Sequence, residues 1–133
     1  MTTKFFIPIQ PPTKTHQQKR AKCVNGKPVF YEDAELAAIR SKLQGYLSQY
    51  VPKEKYTGPV RLITKWCYSI PEGSKHKDGD WKTTRPDTDN SIKMFKDVIT
   101  KLGYWNDDAQ VASEITEKFF ANIPGIYVHI EDL

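Results

Sequence analysis

Cysteine is almost missing from this chain: Cys23 and Cys67 are the only two in 133 residues. One sits in a basic stretch and the other in an alternating apolar run, without the paired spacing of a zinc site, so both read as free thiols. Long hydrophobic runs are absent too, and none approaches the roughly eighteen residues that cross a bilayer. The opening "MTTKFFIPIQPP" breaks into prolines before the apolar stretch of a secretory signal could form. A cytoplasmic protein with no membrane partner is the expectation. There is no glycine-rich phosphate loop and no serine elbow, and His16, His76 and His129 are too scattered to suggest a histidine-based site. Negative charge is missing from the start of the chain, where no acidic residue precedes Glu32 while Lys4, Lys14, Lys19, Arg20, Lys22 and Lys27 all do.

That asymmetry says more than the total. A net charge of +4 and a pI near 9.0 are compatible with mere solubility, but clustered cations suit a phosphate-bearing polyanion. The length fits one domain with a single core better than two domains too small to bury enough apolar surface.

Along residues 1–133 the patterning gives an order. "KFFIPI" reads as an edge strand, and the polar, basic segment near 11–29 reads as a loop with turn chemistry at Asn25-Gly26. From Asp33 as N-cap, Leu36, Ile39, Leu43 and Leu47 recur at helical spacing toward Tyr50. After Gly58-Pro59, Val60, Leu62, Thr64, Trp66, Tyr68 and Ile70 alternate with Arg61, Ile63, Lys65, Cys67 and Ser69, as in a half-buried strand. The polar segment 71–86, "PEGSKHKDGDWKTTRP", carries Lys75, His76, Lys77, Lys82 and Arg85 and is expected to be an exposed, mobile loop. A second helix presents Ile92, Phe95, Val98, Ile99 and Leu102 and stops at Gly103. Two strands follow: Val111 to Phe120, imperfectly alternating, and one with Ile126, Val128 and Ile130 on one face, joined by "NIPG". The expected fold is a small single α+β domain of order β-α-β-α-β-β, with a mixed or mostly antiparallel sheet and two main helices. Trp81, Tyr104 and Trp105 are candidates either for stacking on bases or for the core.

The segment "RPDTDNSIKMFKDVITKLGYWNDDAQV", Arg85 to Val111, sets Asp87 and Asp89 just before the second helix and Asp107 and Asp108 just after it. Asp89 or Asn90 could simply cap the helix. Capping leaves Asp87 unexplained, and it leaves two adjacent aspartates repelling each other unless something positive lies beside them. A hard divalent cation such as Mg²⁺, with Mn²⁺ as a substitute, prefers such carboxylate oxygens and completes its shell with water and substrate phosphate. Aspartates from separate segments therefore suit metal-assisted phosphodiester cleavage. An EF-hand starting at Asp87 is excluded, because its glycine and glutamate positions hold Ile92 and Val98. Lys93 lies four residues after Asp89 and four before Asp97, which fits either a surface ion-pair ladder or a lysine aimed at a scissile phosphate.

The same segment resembles the signature of the RusA family of Holliday-junction resolvases, a D-x-D-N-x-x-K helix start followed by a [FY]-x-x-D-D-x-Q-V turn. The match is close over this block and looser over the basic N-terminus and "GPVRLITKWCY". The resemblance implies a homodimeric, Mg²⁺-dependent endodeoxyribonuclease, of phage or prophage type, that acts in the cytoplasm of a bacterial or phage-infected cell. Its substrate would be a branched four-way DNA junction, cut by paired symmetric nicks that leave a 5′-phosphate and a 3′-hydroxyl. It further implies Asp87, Asp89, Asp108 and Lys93 as catalytic residues and Asp87, Asp89, Asp108 and a supporting Asp107 as metal ligands. DNA-binding cations carry over as a class: Lys14, Lys19, Arg20, Lys75, Lys77, Lys82 and Arg85. Ser91 departs from the leucine common in relatives. Two other readings stay open, a nuclease for other branched DNA and a non-catalytic junction-binding module. A helix from about Ser91 to Lys101 is roughly 16 Å long, so Asp108 must either fold back toward Asp89 or reach a partner subunit's site.

Overall fold

The computed structural model describes residues 1–13, 20–31 and 34–133. In chain order these form β1 (Thr2–Ile7), β2 (Arg20–Val24), β3 (Lys27–Tyr31), α1 (Ala34–Leu47), β4 (Val60–Ser69), α2 (Thr88–Leu102), β5 (Val111–Ala121) and β6 (Gly125–Asp132). Single 3₁₀ turns lie at Ser48–Tyr50 and Asp108–Gln110. The main sheet has the order β1-β6-β4-β5, antiparallel except where β4 and β5 run parallel, so the mixed α+β architecture is the one expected.

The basic segment near 11–29 is not all loop. Asn25 and Gly26 both take positive φ, 53° and 76°, which is the two-residue turn that matches strand twist, and β2 pairs antiparallel with β3 across it. The turn is legible in the sequence, but the flanking residues are too mixed in polarity to announce strands. The expected N-cap Asp33, and the cations Lys14 and Lys19, lie outside the described residues.

Period-two patterning accounts for the sheet's inner face. Val60, Leu62, Thr64, Trp66 and Tyr68 of β4 are buried, and Ile126, Val128 and Ile130 of β6 and Phe5 and Ile7 of β1 complete the face. Helix α1 covers it with Leu36, Leu43 and Leu47, and α2 with Ile92, Met94, Phe95, Val98 and Ile99. Phe95 meets Trp66 edge-on at 5.8 Å between ring centroids, and Phe5 stacks on Tyr50 at 4.4 Å. These contacts fix the tilt of the helices against the sheet.

Strand β5 departs from this pattern for a reason. The register pairs Leu62 with Glu114, Thr64 with Thr116 and Trp66 with Lys118, so the inward row of β5 is polar until Phe120. Glu114 receives Lys96 of α2 at 2.9 Å, and the Lys118 ammonium donates to the carbonyls of Thr84 and Pro86 at 2.7 Å each. The strand thus holds α2 by polar struts, which is why its alternation looks imperfect in sequence.

The segment 71–86 is expected to be mobile, yet it is anchored on the free edge of β5. Gly79 N donates to Phe120 O and Phe120 N to Asp80 O, both at 2.8 Å, and Lys82 N donates to Lys118 O at 3.1 Å. Asn122 N adds a bond to Asp78 Oδ1 at 2.9 Å. Pairing in this way occupies backbone groups that an edge strand would otherwise expose. Trp81 packs on Phe119 at 4.5 Å while remaining 61% exposed.

Gly125 opens β6 where no side chain fits. A Cβ there would meet the Phe6 ring and lie 2.6 Å from the Ile7 carbonyl oxygen.

One buried pair is imperfectly satisfied. The hydroxyls of Ser91, at the start of α2, and Tyr68, on β4, are both buried beside each other without a well-formed hydrogen bond. Burial pushes the Tyr68 phenol up to about 12, an effect that Ser91 partly offsets. Ser91→Ala removes one buried polar atom and improves helix propensity, and it is expected to stabilise the protein by about 1 kcal/mol. Thermal unfolding should show Tm raised by about 3 °C; a lower Tm would mean that the two hydroxyls support each other.

Candidate active site

Helix α2 begins where the chain leaves the sheet edge. Asp87 occupies the N-cap position with extended φ and ψ of −70° and 148°, but its carboxylate makes no capping bond. The reading of Asp89 or Asn90 as the cap is therefore corrected: the cap position is Asp87, and Asp89 lies within the first turn. Asp89 gains there from the positive end of the helix dipole.

The far end explains how Asp108 returns. Gly103 adopts the left-handed conformation with φ 89°, and its N–H bonds back to Ile99 O and Thr100 O. Tyr104 and Trp105 then drive inward and are fully buried. The Tyr104 hydroxyl donates to Leu47 O at 2.6 Å and the Trp105 indole to Thr100 Oγ1 at 2.8 Å, so neither ring is available to stack on a base. Burial raises the Tyr104 phenol well above its ordinary range. Next, Asp107 Oδ1 accepts from Ala109 N at 2.8 Å, and Gln110 Oε1 accepts from Asp107 N at 3.1 Å, a reciprocal cap on the 3₁₀ turn. Gln110 also donates to Tyr56 O and Gly58 O at 3.0 Å each, which ties the turn to the segment entering β4. Strand β5 then runs back along α2, since Glu114 meets Lys96 while the later Lys118 meets the earlier Thr84 and Pro86.

The result is a cleft of about 380 Å³ lined by Asp89, Asn90, Ile92, Lys93, Lys96, Asp97, Asp108 and Glu114. Asp89 and Asp108 both line this cleft of one chain, so the turn after Gly103 folds back toward the face of α2 that carries Lys93. Asp87 is exposed at the helix start just outside that lining, and Asp107 is committed to its cap. Lys93 is exposed and forms no ion pair among the described residues, so the proposed ladder with Asp89 and Asp97 is not made; Lys96 is the paired lysine, through Glu114. Lys96, Glu114 and Gln110 were not singled out from sequence. Helical spacing from Lys93 points to Lys96, and the D-x-x-Q order from Asp107 points to Gln110.

The donor set of the cleft is carboxylate oxygen, with no histidine or cysteine. Among the described residues no three such groups converge to hold an ion unaided. The carboxylate oxygens of the lining are of the kind that suits a hard cation of the Mg²⁺ type, which takes one or two of them and fills its shell with water and phosphate. Of the basic residues, Lys75, Lys77 and Arg85 are exposed and Lys82 is half-buried. Lys82 lies over the Tyr68 and Phe120 rings at 5.1 and 5.0 Å, and burial, then Lys118, pull its pKa down. Arg20 begins β2.

A solvent-open cleft that gathers carboxylates around Lys93, which has no ion pair among the described residues, is of a kind compatible with phosphodiester cleavage. The family model of endodeoxyribonuclease RusA matches residues 8–131, and the chain belongs to that family. It is 34% identical over 113 residues to the crossover junction endodeoxyribonuclease rusA of Lactococcus phage r1t, covering 84% of this chain and 83% of that one. It is 30% identical over 118 residues to the protein YqaN of Bacillus subtilis (strain 168), covering 82% of each.

Proposed function

We propose that this protein resolves four-way DNA junctions in the cytoplasm of a bacterial or phage-infected cell, as a Mg²⁺-dependent endonuclease acting as a homodimer. The observation that carries the proposal is the union of Asp89, Lys93 and Asp108 in one cleft of one chain. Among the described residues no helix is long and apolar enough to cross a membrane.

Asp89 and Asp108 would hold the ion, with Asp87 approaching from the helix start once a phosphate is in place. When bound, Mg²⁺ supplies Lewis acidity, which acidifies water and draws charge from the phosphate. Lys93, which lines the same cleft and has no ion pair among the described residues, would stabilise the charge that grows on the phosphate oxygens as the bond to the leaving oxygen breaks. Asp107 holds the 3₁₀ turn that presents Asp108. Lys75, Lys77, Lys82 and Arg85, together with Lys14, Lys19 and Arg20 of the N-terminal region, would follow the DNA backbone and select no sequence.

Paired nicks need two sites related by a two-fold axis, and a C2 dimer supplies them most simply. The outer face of the sheet supports that arrangement. Both helices cover the inner face, whereas Phe6 and Ile115 remain 38% and 43% exposed on the outer one. Ile63 and Tyr127 extend the same surface.

The test is a synthetic four-way junction incubated with the protein and Mg²⁺, with cuts mapped on all four strands. Paired symmetric nicks are the expected product. Nicks in flaps or forks but not in junctions would transfer the activity to other branched DNA, and binding without cleavage would leave a junction-binding module. Affinity should also fall by several orders of magnitude between about 50 and 200 mM salt, because the contacts are to phosphates.

A further inference from the structure

We propose that Lys118 is a positioning residue for the metal site: a clamp on β5 that sets where Asp87 stands. The proposal rests on the nuclease reading above and deepens it. Lys118 faces inward on β5 at a register position where β4 presents Trp66, a place where an apolar residue would ordinarily serve the core. Instead its ammonium, half-buried, donates to two main-chain carbonyls, Thr84 O and Pro86 O, at 2.7 Å each. Hydrogen bonds from an ionised donor are about twice as strong as neutral ones. Two of them on residues flanking Arg85 hold the last stretch of chain before Asp87 against the sheet.

That stretch needs holding because among the described residues no bond to the Asp87 carboxylate itself aims it. Its carboxylate makes no capping bond, and its carbonyl accepts only the first helical N–H, from Ser91 at 3.2 Å. The direction of the carboxylate is therefore inherited from the backbone, and the backbone is fixed by the Lys118 struts on one side and by α2 on the other. The same strand sets the middle of α2 through Glu114 and Lys96 at 2.9 Å. Strand β5 thereby fixes both the approach to the helix start, where Asp87 stands, and the helix face that carries Lys93.

A purely structural Lys118 would pin the loop and affect stability alone. A clamp acting through Asp87 makes a sharper demand, testable with Lys118→Met, Lys118→Arg and Asp87→Asn in the full chain. In metal-free protein, hydrogen exchange over residues 83–90 should accelerate in Lys118→Met and stay near wild type in Lys118→Arg, whose guanidinium can still bridge two carbonyls. Mn²⁺ binding followed by electron paramagnetic resonance should weaken about tenfold in Lys118→Met, the low end of the effect of groups that orient metal ligands. In junction cleavage, the loss caused by Lys118→Met should vanish in the Asp87→Asn background. Should the methionine variant fail to fold, Lys118→Gln, neutral and too short to reach both carbonyls, takes its place with the same expectations.

Unchanged exchange over 83–90 overturns the clamp. Losses that add fully to Asp87→Asn overturn its action through Asp87. Faster exchange in a protein whose wild type neither binds Mn²⁺ nor cleaves any branched DNA overturns the nuclease reading, and with it this role for Lys118, while the strut itself stands.

Discussion

Asp89→Asn should lower junction cleavage by about a thousandfold while leaving junction binding in place. A carboxylate that holds a catalytic cation supports several kcal/mol of transition-state stabilisation, and each 1.4 kcal/mol is about a factor of ten in rate. The substitution keeps the shape of the side chain and removes only its charge. It does not unmake the helix, because the N-cap position belongs to Asp87 and the first helical bond runs from Ser91 N to Asp87 O. The stability cost is limited to the lost interaction with the helix dipole, about 0.5 kcal/mol. Binding measured without metal should hold or tighten slightly, since one negative charge has left a surface that meets phosphates. Asp108→Asn should behave alike, because both side chains line the cleft. Gel analysis of junction cleavage and of binding in chelator separates the two effects. Cleavage within a few-fold of wild type for both variants would sink the site assigned here.

Gly125→Ala carries the largest expected effect on stability. The added methyl would lie 2.6 Å from the Ile7 carbonyl oxygen and would also strike the Phe6 ring. The ring could swing away, as Phe6 is partly exposed, but the carbonyl belongs to β1 and is fixed by pairing of Ile7 with Ile126. One of two strands must therefore shift. Overpacking of this kind costs up to about 3 kcal/mol, or about 10 °C in Tm for a domain of this size. Adding Phe6→Ala should restore only part of the loss, because the backbone contact persists. A full rescue in thermal unfolding would show the ring, rather than the carbonyl, to be the obstacle.

What could be read from the sequence follows the strength of local periodicity. Strand β4 and helix α2 show clean periods of two and 3.6 residues, and Gly103 ends the helix as a left-handed cap does, so these elements and their buried faces were legible. The hairpin β2-β3 was half legible, through Asn25-Gly26 alone. Strand β5 was blurred because polar Glu114, Thr116 and Lys118 occupy inward positions, Glu114 and Lys118 as partners of α2 and its approach, and such partnerships leave no local pattern. The anchored segment 71–86 was invisible for a related reason: main-chain bonds to an edge strand do not depend on side-chain type.

The candidate site divides in the same way. The spacing of Asp89 and Lys93 identified one helix face directly, whereas the return of Asp108 to that face depends on the burial of Tyr104 and Trp105 and on the direction of β5. Asp107 and Asp108 looked equivalent as neighbours. The Gln110 that follows distinguishes them, since it completes a cap with Asp107 and leaves Asp108 in the cleft.

The unequal settings of the tryptophans make the protein its own fluorescent gauge. Trp66 and Trp105 are 1% and 0% exposed and emit from the core, whereas Trp81, at 61%, sits beside Lys82 on the segment paired to β5. A shift of the core emission to longer wavelength reports global unfolding. Iodide or acrylamide samples Trp81 almost alone, so protection of the quenchable fraction tracks whatever covers that edge, without any label added to the chain.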